Sequence, residues 1–149
     1  MKRIIIDKET CDGCKNCSLA CMQAHRSSSG SLYDLNLTDP ANESRNYIIG
    51  LDSGYAPLFC RHCADPECVR ACISGAMTKN DENGLVTYDE DVCAKCFMCV
   101  MSCPYGMLKP DRATASKVIK CDFCSADGYD PNCVKSCPKK AIYVEEVTA

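Results

Sequence analysis

The chain has no tryptophan, three phenylalanines and two histidines among its 149 residues. So few large side chains are a thin supply for a conventional core. The 46% hydrophobic content also counts 16 cysteines; without them roughly 35% of the chain is apolar, low for a domain of this size. No stretch approaches the ~18 apolar residues that would span a bilayer. The run Met1-Lys2-Arg3-Ile4-Ile5-Ile6-Asp7 is too short for a signal peptide. A cytoplasmic location is therefore expected, or export on a partner's signal. There is no glycine-rich nucleotide loop and no Ser/His/Asp arrangement, so no catalytic constellation is expected. No basic run or aromatic-interleaved basic patch offsets the net charge of −3, which argues against nucleic acid as a partner.

What the chain has in excess is cysteine, and its spacing is regular. Cys11, Cys14, Cys17 and Cys21 form one group, and Cys93, Cys96, Cys99 and Cys103 another, the latter followed by Pro104. Both read C-x2-C-x2-C-x3-C, the bacterial pattern for a cubane [4Fe–4S] cluster, in which the fourth cysteine ligates the neighbouring cluster. Cys60, Cys63, Cys68 and Cys72 widen the middle gap to four residues. Cys121, Cys124, Cys133 and Cys137 widen it to eight and precede Pro138. Four quartets use every cysteine and imply four [4Fe–4S] clusters. Disulfides fit poorly, because no secretion signal accompanies the cysteines and the triple C-x2-C-x2-C spacing suits metal. Zinc sites are built from two C-x2-C pairs, not from a tight run of three plus a fourth. C-type haem needs C-x-x-C-H, which is absent, and every C-x-x-C pair belongs to a quartet, against a thioredoxin-like motif. Oxidised cubanes would add about −8, bringing the loaded protein to about −11. Metal binding is then expected to supply much of the folding free energy.

The four motifs form an internal repeat. Strand character is expected at Ile4–Ile6, Gly75–Thr78, Leu85–Tyr88, Gly106–Leu108 and Ala141–Val144, with Asp81-Glu82-Asn83-Gly84 as a hairpin turn. Short helices are expected around Val69–Ala71, Val100–Ser102 and Val134–Ser136. The fold class is α+β: two ferredoxin-like modules of short hairpins and short cluster-binding helices in one compact domain, 1–149, with little regular structure elsewhere. The 38 cysteine-free residues between Cys21 and Cys60 are polar, and Arg26–Ser31 is flexible in composition. Residues 25–55 are expected to be a surface loop insertion, or alternatively a partner-docking segment.

The motifs Cys11-Asp12-Gly13-Cys14, Cys60-Arg61-His62-Cys63, Cys93-Ala94-Lys95-Cys96, Cys103-Pro104-Tyr105-Gly106, Lys120-Cys121-Asp122-Phe123-Cys124 and Cys137-Pro138 carry a resemblance over nearly the whole chain. It resembles the four-cluster, ferredoxin-like electron-transfer subunits of multisubunit oxidoreductases of anaerobic metabolism, of the dimethyl sulfoxide, polysulfide and nitrate reductase type. The compact length and short last gap look most like the ferredoxin-like partner of carbon monoxide dehydrogenase. Cys21 and Cys72 depart from the family pattern, being followed by Met22 and Ile73 instead of proline. The resemblance implies an electron-conducting, non-catalytic chain between a large catalytic subunit and a second redox protein; the alternatives are the small subunit of another oxidoreductase, of aldehyde, formate, polysulfide or hydrogenase type, or a free diffusible polyferredoxin.

Ligand pairing depends on which motifs share a module. The strand Ile4–Ile6 needs a partner for its backbone groups, and Ile142–Val147 is the natural one, as in small ferredoxins whose ends pair. That places motifs one and four in one module (1–24 plus 117–149) and motifs two and three in another (56–112), as the resemblance also implies. The sites are then Cys11, Cys14, Cys17 with Cys137; Cys60, Cys63, Cys68 with Cys103; Cys93, Cys96, Cys99 with Cys72; and Cys121, Cys124, Cys133 with Cys21. His62, Lys15, Arg61, Lys95 and Lys120 are candidates for tuning them through charge or hydrogen bonds, with ordinary solvated or packing roles as the alternative. Chemical analysis of anaerobically prepared protein is expected to return about sixteen irons and as many sulfides per chain. About eight irons, or stoichiometric zinc, would refute the four-cluster count.

Overall fold

The computed structural model describes residues 1–26 and 30–147. Ser27–Ser29, part of the stretch expected to be flexible, lies outside them. The described chain runs β1 (Lys2–Ile6), α1 (Asn16–His25), β2 (Tyr47–Leu51), β3 (Gly54–Leu58), α2 (Glu67–Arg70), β4 (Met77–Lys79), β5 (Val86–Tyr88), α3 (Met98–Ser102), β6 (Lys109–Pro110), β7 (Val118–Ile119), α4 (Asn132–Lys135) and β8 (Ile142–Glu146). Its strands pair antiparallel as β1 with β8, β2 with β3, β4 with β5 and β6 with β7. This mixture of short helices and two-stranded ribbons is α+β.

Topologically the chain is nested. The β-branched run of β1 lies along β8, with Ile4 opposite Val144 and Ile6 opposite Ile142. The ladder extends at both ends: Val147 N–H donates to Met1 C=O at 2.9 Å and Asp7 N–H to Ala141 C=O at 2.8 Å. At the centre, β4 and β5 are joined by a turn that Asn80 organises. Its side chain accepts from the N–H groups of Glu82 and Asn83 at 2.8 and 3.2 Å, and Gly84 N–H donates back to its carbonyl. Gly84 takes the left-handed conformation (φ 71°) that this turn requires. α1 packs on α4, and α2 on α3.

Cysteines are part of the core. Cys60, Cys68 and Cys99 are buried with Met77, Val86, Met107, Leu108 and Val118. Cys17 and Cys133 are buried with Phe59 and Ile142, against which Ile4, Ile6 and Ile48 pack. The strand expected at Gly106–Leu108 begins at Lys109 instead: Gly106 N–H closes a turn onto Cys103 C=O and Met107 N–H turns toward Cys103 Sγ, so neither joins a ladder.

Within 25–55 the structure contains more than a loop. Tyr47-Ile48-Ile49 has strand propensity, and Asp52-Ser53 turns it onto β3, with Leu51 opposite Gly54. Upstream, two polar side chains are buried and partnered. Asn46, 2% exposed, accepts from Ser18 Oγ at 2.6 Å and donates to Cys17 C=O at 3.3 Å. Glu43 accepts from Arg112 N–H at 2.6 Å and lies 2.7 Å from Lys109 Nζ, paired by charge without hydrogen-bond alignment. Lys109 in turn faces the Tyr47 ring. Removing one member of such a pair strands a buried charge. Glu43→Ala is expected to destabilise the protein by about 3 kcal/mol, the low end of the usual range because Lys109 keeps some solvent contact. Anaerobic denaturant titration of the loaded protein checks this; a loss under about 0.5 kcal/mol, the level of a surface substitution, would contradict it.

Candidate metal centres

Each cysteine motif bends back on itself at the same place. The residue before the second cysteine is left-handed in all four: Gly13 (φ 72°), His62 (43°), Lys95 (57°) and Phe123 (59°). For a non-glycine residue this conformation costs on the order of 1 kcal/mol or more, and such strain concentrates at functional sites. The bend aims backbone N–H groups at sulfur. Lys95 N–H lies 3.4 Å from Cys93 Sγ, and Phe123 N–H 3.4 Å from Cys121 Sγ. Further N–H groups reach the fourth cysteines: Met77 to Cys72 at 3.3 Å, Met107 to Cys103 at 3.5 Å and Arg45 to Cys21 at 3.3 Å. At Gly13 a side chain is also excluded by space, since a Cβ would lie 2.4 Å from the Tyr55 ring of β3.

The third and fourth cysteines of each motif are four apart and start on a helical turn, so they share a face. That face serves two sites. One cavity is lined by Cys11, Cys14, Cys17 and, from the far end of the chain, Cys137. A second is lined by Cys60, Cys63, Cys68 and Cys103. A third is lined by Cys93, Cys96, Cys99 and Cys72. Burial raises the pKa of Cys133, and the Cys121, Cys21, Cys124 and Cys17 sulfurs push it further, in that order, so Cys21 lies near the cysteines of the fourth motif. Each set thus takes three cysteines from one motif and one from another.

Motifs two and four share a feature that their unequal gaps conceal. Asp65-Pro66-Glu67-Cys68-Val69-Arg70 and Asp130-Pro131-Asn132-Cys133-Val134-Lys135 share Asp-Pro-x-Cys-Val followed by a cation. In both, proline precedes the helix. In both, the closing cation pairs with the opening aspartate, Arg70 with Asp65 at 3.0 Å and Lys135 with Asp130 at 2.9 Å. These pairs are exposed and contribute little energy; their value here is as a marker of the repeat.

Donor chemistry fits iron–sulfur groups. Soft thiolates select iron–sulfur clusters, zinc or copper, and the N–H groups directed at the sulfurs are the usual second contacts of thiolate-held clusters. Burial pushes the Cys17 and Cys68 thiols up to about 11. Burial, then the nearby Cys60 sulfur, pushes Cys121 up to about 12 against the pull of Lys120. A bare fold would hold these sulfurs protonated, and metal binding must displace the protons.

Among the tuning candidates, Lys15, Arg61 and Lys95 are exposed. Lys15 lines the Cys11 cavity, and Arg61 lies over the Tyr105 ring at 4.1 Å. Lys120 is buried, and its Nζ donates to the carbonyls of Val86 and Cys121 at 2.5 and 2.6 Å. His62 is buried too; burial first, then Lys120, holds its pKa well below the ordinary imidazole value.

His25 carried no signal in the sequence, because its partner lies 97 residues away. Its Nε2 is 3.0 Å from Asp122 Oδ1, its Nδ1 2.7 Å from Cys21 C=O, and Asp122 also pairs with Arg45 at 2.8 Å. Burial pulls the His25 pKa down, but the bonds to the Asp122 carboxylate and the Cys21 sulfur outweigh it and hold it up to about 10. A raised folded pKa stabilises below the unfolded value of about 6.5, and that contribution is lost as pH rises through about 10. Denaturation midpoints of the loaded protein are therefore expected to fall between pH 6.5 and 10, and Asp122→Asn to flatten the slope. An unchanged slope in the variant would contradict the pairing.

The 4Fe-4S dicluster domain family matches residues 51–147. The B subunit of anaerobic dimethyl sulfoxide reductase from Escherichia coli (strain K12) is 38% identical over 144 residues, 92% of this chain and 69% of its own length. NADH-dependent phenylglyoxylate dehydrogenase subunit beta of Aromatoleum evansii is 37% identical over 93% of this chain but 29% of its own length. Among solved structures, the active site complex BamBC of benzoyl coenzyme A reductase with benzoyl-CoA superposes with a TM-score of 0.51 and 25% identity, over 97% of this chain and 79% of that one. Motifs, fold and relatives converge: the chain belongs to the 4Fe-4S dicluster domain family of ferredoxin-like, iron–sulfur electron-transfer subunits of oxidoreductases.

Proposed function

We propose that this subunit carries four [4Fe–4S] clusters and conducts electrons between a large catalytic subunit and a second redox protein, without catalysis of its own. The observation that carries the reading is that three cavities are each lined by three cysteines of one motif and one of another, with Cys21 beside the cysteines of the fourth motif. The proposed ligand sets are Cys11, Cys14, Cys17, Cys137; Cys60, Cys63, Cys68, Cys103; Cys93, Cys96, Cys99, Cys72; and Cys121, Cys124, Cys133, Cys21. The proposed modules are those of motifs one and four (1–24 plus 117–149) and of motifs two and three (56–112). When bound, each cluster accepts and returns an electron at a potential set by its surroundings.

The chain's residues supply the insulation and the contacts. Buried Phe123, His62 and Lys120 fill the space between the Cys60 and Cys121 sets and exclude water there. Cys14 and Cys96 are the two exposed cysteines, and they belong to different sets. Ile73, Val92, Met98 and Met101, which adjoin or lie near the cysteines of the Cys96 set in the sequence, have exposed side chains. Two solvent-facing sets support two contacts, one for a catalytic subunit and one for a carrier.

The partner is proposed as a class. The relatives are named for dimethyl sulfoxide reduction and phenylglyoxylate oxidation; carbon monoxide dehydrogenase rests on compact length and the short last gap alone. Among the described residues no helix is long and apolar enough to cross a membrane, and a cytoplasmic site of action is part of the proposal. The purified chain is expected to exchange electrons with dyes and redox proteins but to turn over no substrate; catalysis free of other proteins would refute it. Cys137→Ser is expected to disturb the Cys11 set, with about one to four irons lost as that cluster converts or disappears. Loss at the Cys121 set instead, with the Cys11 set intact, would refute the crossed pairing.

A further inference from the structure

His62 has one buried hydrogen-bonding atom that the protein leaves unused. The residue is 1% exposed. Val86 N–H donates to its Nδ1 at 3.0 Å. A ring nitrogen that accepts carries no proton, so the neutral imidazole bears its hydrogen on Nε2. Val86 is itself held, because its carbonyl accepts from Lys120 Nζ. The tautomer is therefore built into the hairpin and is not left to chance. Nε2 is sealed from solvent and has no acceptor among the described residues. A stranded buried donor costs about 1–3 kcal/mol, and folded proteins seldom leave one. His62 lines the cavity enclosed by Cys60, Cys63, Cys68 and Cys103.

We propose that His62 Nε2–H donates a hydrogen bond to a sulfide of the iron–sulfur group in the Cys60/Cys63/Cys68/Cys103 cavity and thereby raises that group's reduction potential. The inference rests on the four-site reading above. Reduction adds negative charge, so a fixed donor stabilises the reduced state more than the oxidised one. The competing acceptor is the face of Phe123, whose ring lies 5.6 Å from the imidazole at an interplanar angle of 82°; N–H···π contacts are weaker and would leave the potential unmoved.

The test uses the complete, cluster-loaded protein with 15N-labelled histidine. The chain has two histidines, so His25→Gln leaves His62 as the sole label. Pulsed EPR of the reduced protein is expected to show a 15N coupling that survives in His25→Gln. His62→Asn places an oxygen where Nδ1 was, keeping the Val86 bond while removing the cavity donor. It is expected to lower the reduced-to-oxidised ratio of one cluster about tenfold at fixed poise, which is 59 mV for one electron. His62→Gln carries an amide N–H to the Nε2 position and is expected to restore most of the loss. Absence of the coupling in labelled His25→Gln, or potentials unchanged in iron-replete His62→Asn, would overturn the proposal and leave the proton on Phe123. Undiminished iron in Cys60→Ser is a separate failure, of the site assignment itself.

Discussion

Four sulfurs that would rather be apart must be brought to one point, and most of this structure answers that demand. Ionised thiolates repel, and buried ones lose their hydration as well, so each is pushed toward its protonated form until metal binds. Burial pushes Cys17 and Cys68 up to about 11. A peptide with few large apolar residues cannot hold such an arrangement by packing alone. The arrangement is instead braced at its edges: by the β1–β8 ladder, by the helix pairs, and by the buried Asn46 and Glu43 that tie the 25–55 stretch to α1 and β6.

The left-handed bend before each second cysteine is the local counterpart of that constraint. It occurs with glycine in one motif and with histidine, lysine and phenylalanine in the others. Glycine is obligatory only where Tyr55 crowds the loop. At the other three positions a Cβ is accommodated, and the freed side chain acquires a use. Phe123 and His62 reach inward to meet each other between two cysteine sets, while Lys95 stays in solvent. One backbone solution, repeated four times, supports different surroundings for each set.

The cysteine motifs were legible because metal geometry restricts spacing along the chain more tightly than packing does. Hairpins at Met77–Tyr88 and the pairing of Ile4–Ile6 with Ile142–Val144 were legible from β-branched runs and a turn sequence. The Tyr47–Leu58 hairpin was not, although Tyr47-Ile48-Ile49 and Asp52-Ser53-Gly54 carry the signal; its polar flanks masked it. The matching Asp-Pro-x-Cys-Val segments were also in plain view but lay on either side of unequal gaps. His25, Arg45 and Asp122 could not be joined from the sequence, because nothing local distinguishes an aspartate that pairs with a residue 97 positions away from one that faces water. The tautomer of His62 likewise depends on a single N–H from another strand.

Nesting has a consequence during synthesis. Cys11, Cys14 and Cys17 emerge from the ribosome first, yet the fourth cysteine of their cavity is Cys137. At 5–20 residues per second the roughly 115 residues between Cys21 and Cys137 take about 6 to 23 seconds to make. Through that interval the first thiols stand open to oxidants, to stray metals and to one another, while the Cys60 and Cys93 sets, closed by nearer cysteines, have all their cysteines before Cys137 is made. The oldest part of the chain is thus the last to be finished, so the newborn protein is most vulnerable to oxygen at its N-terminal motif.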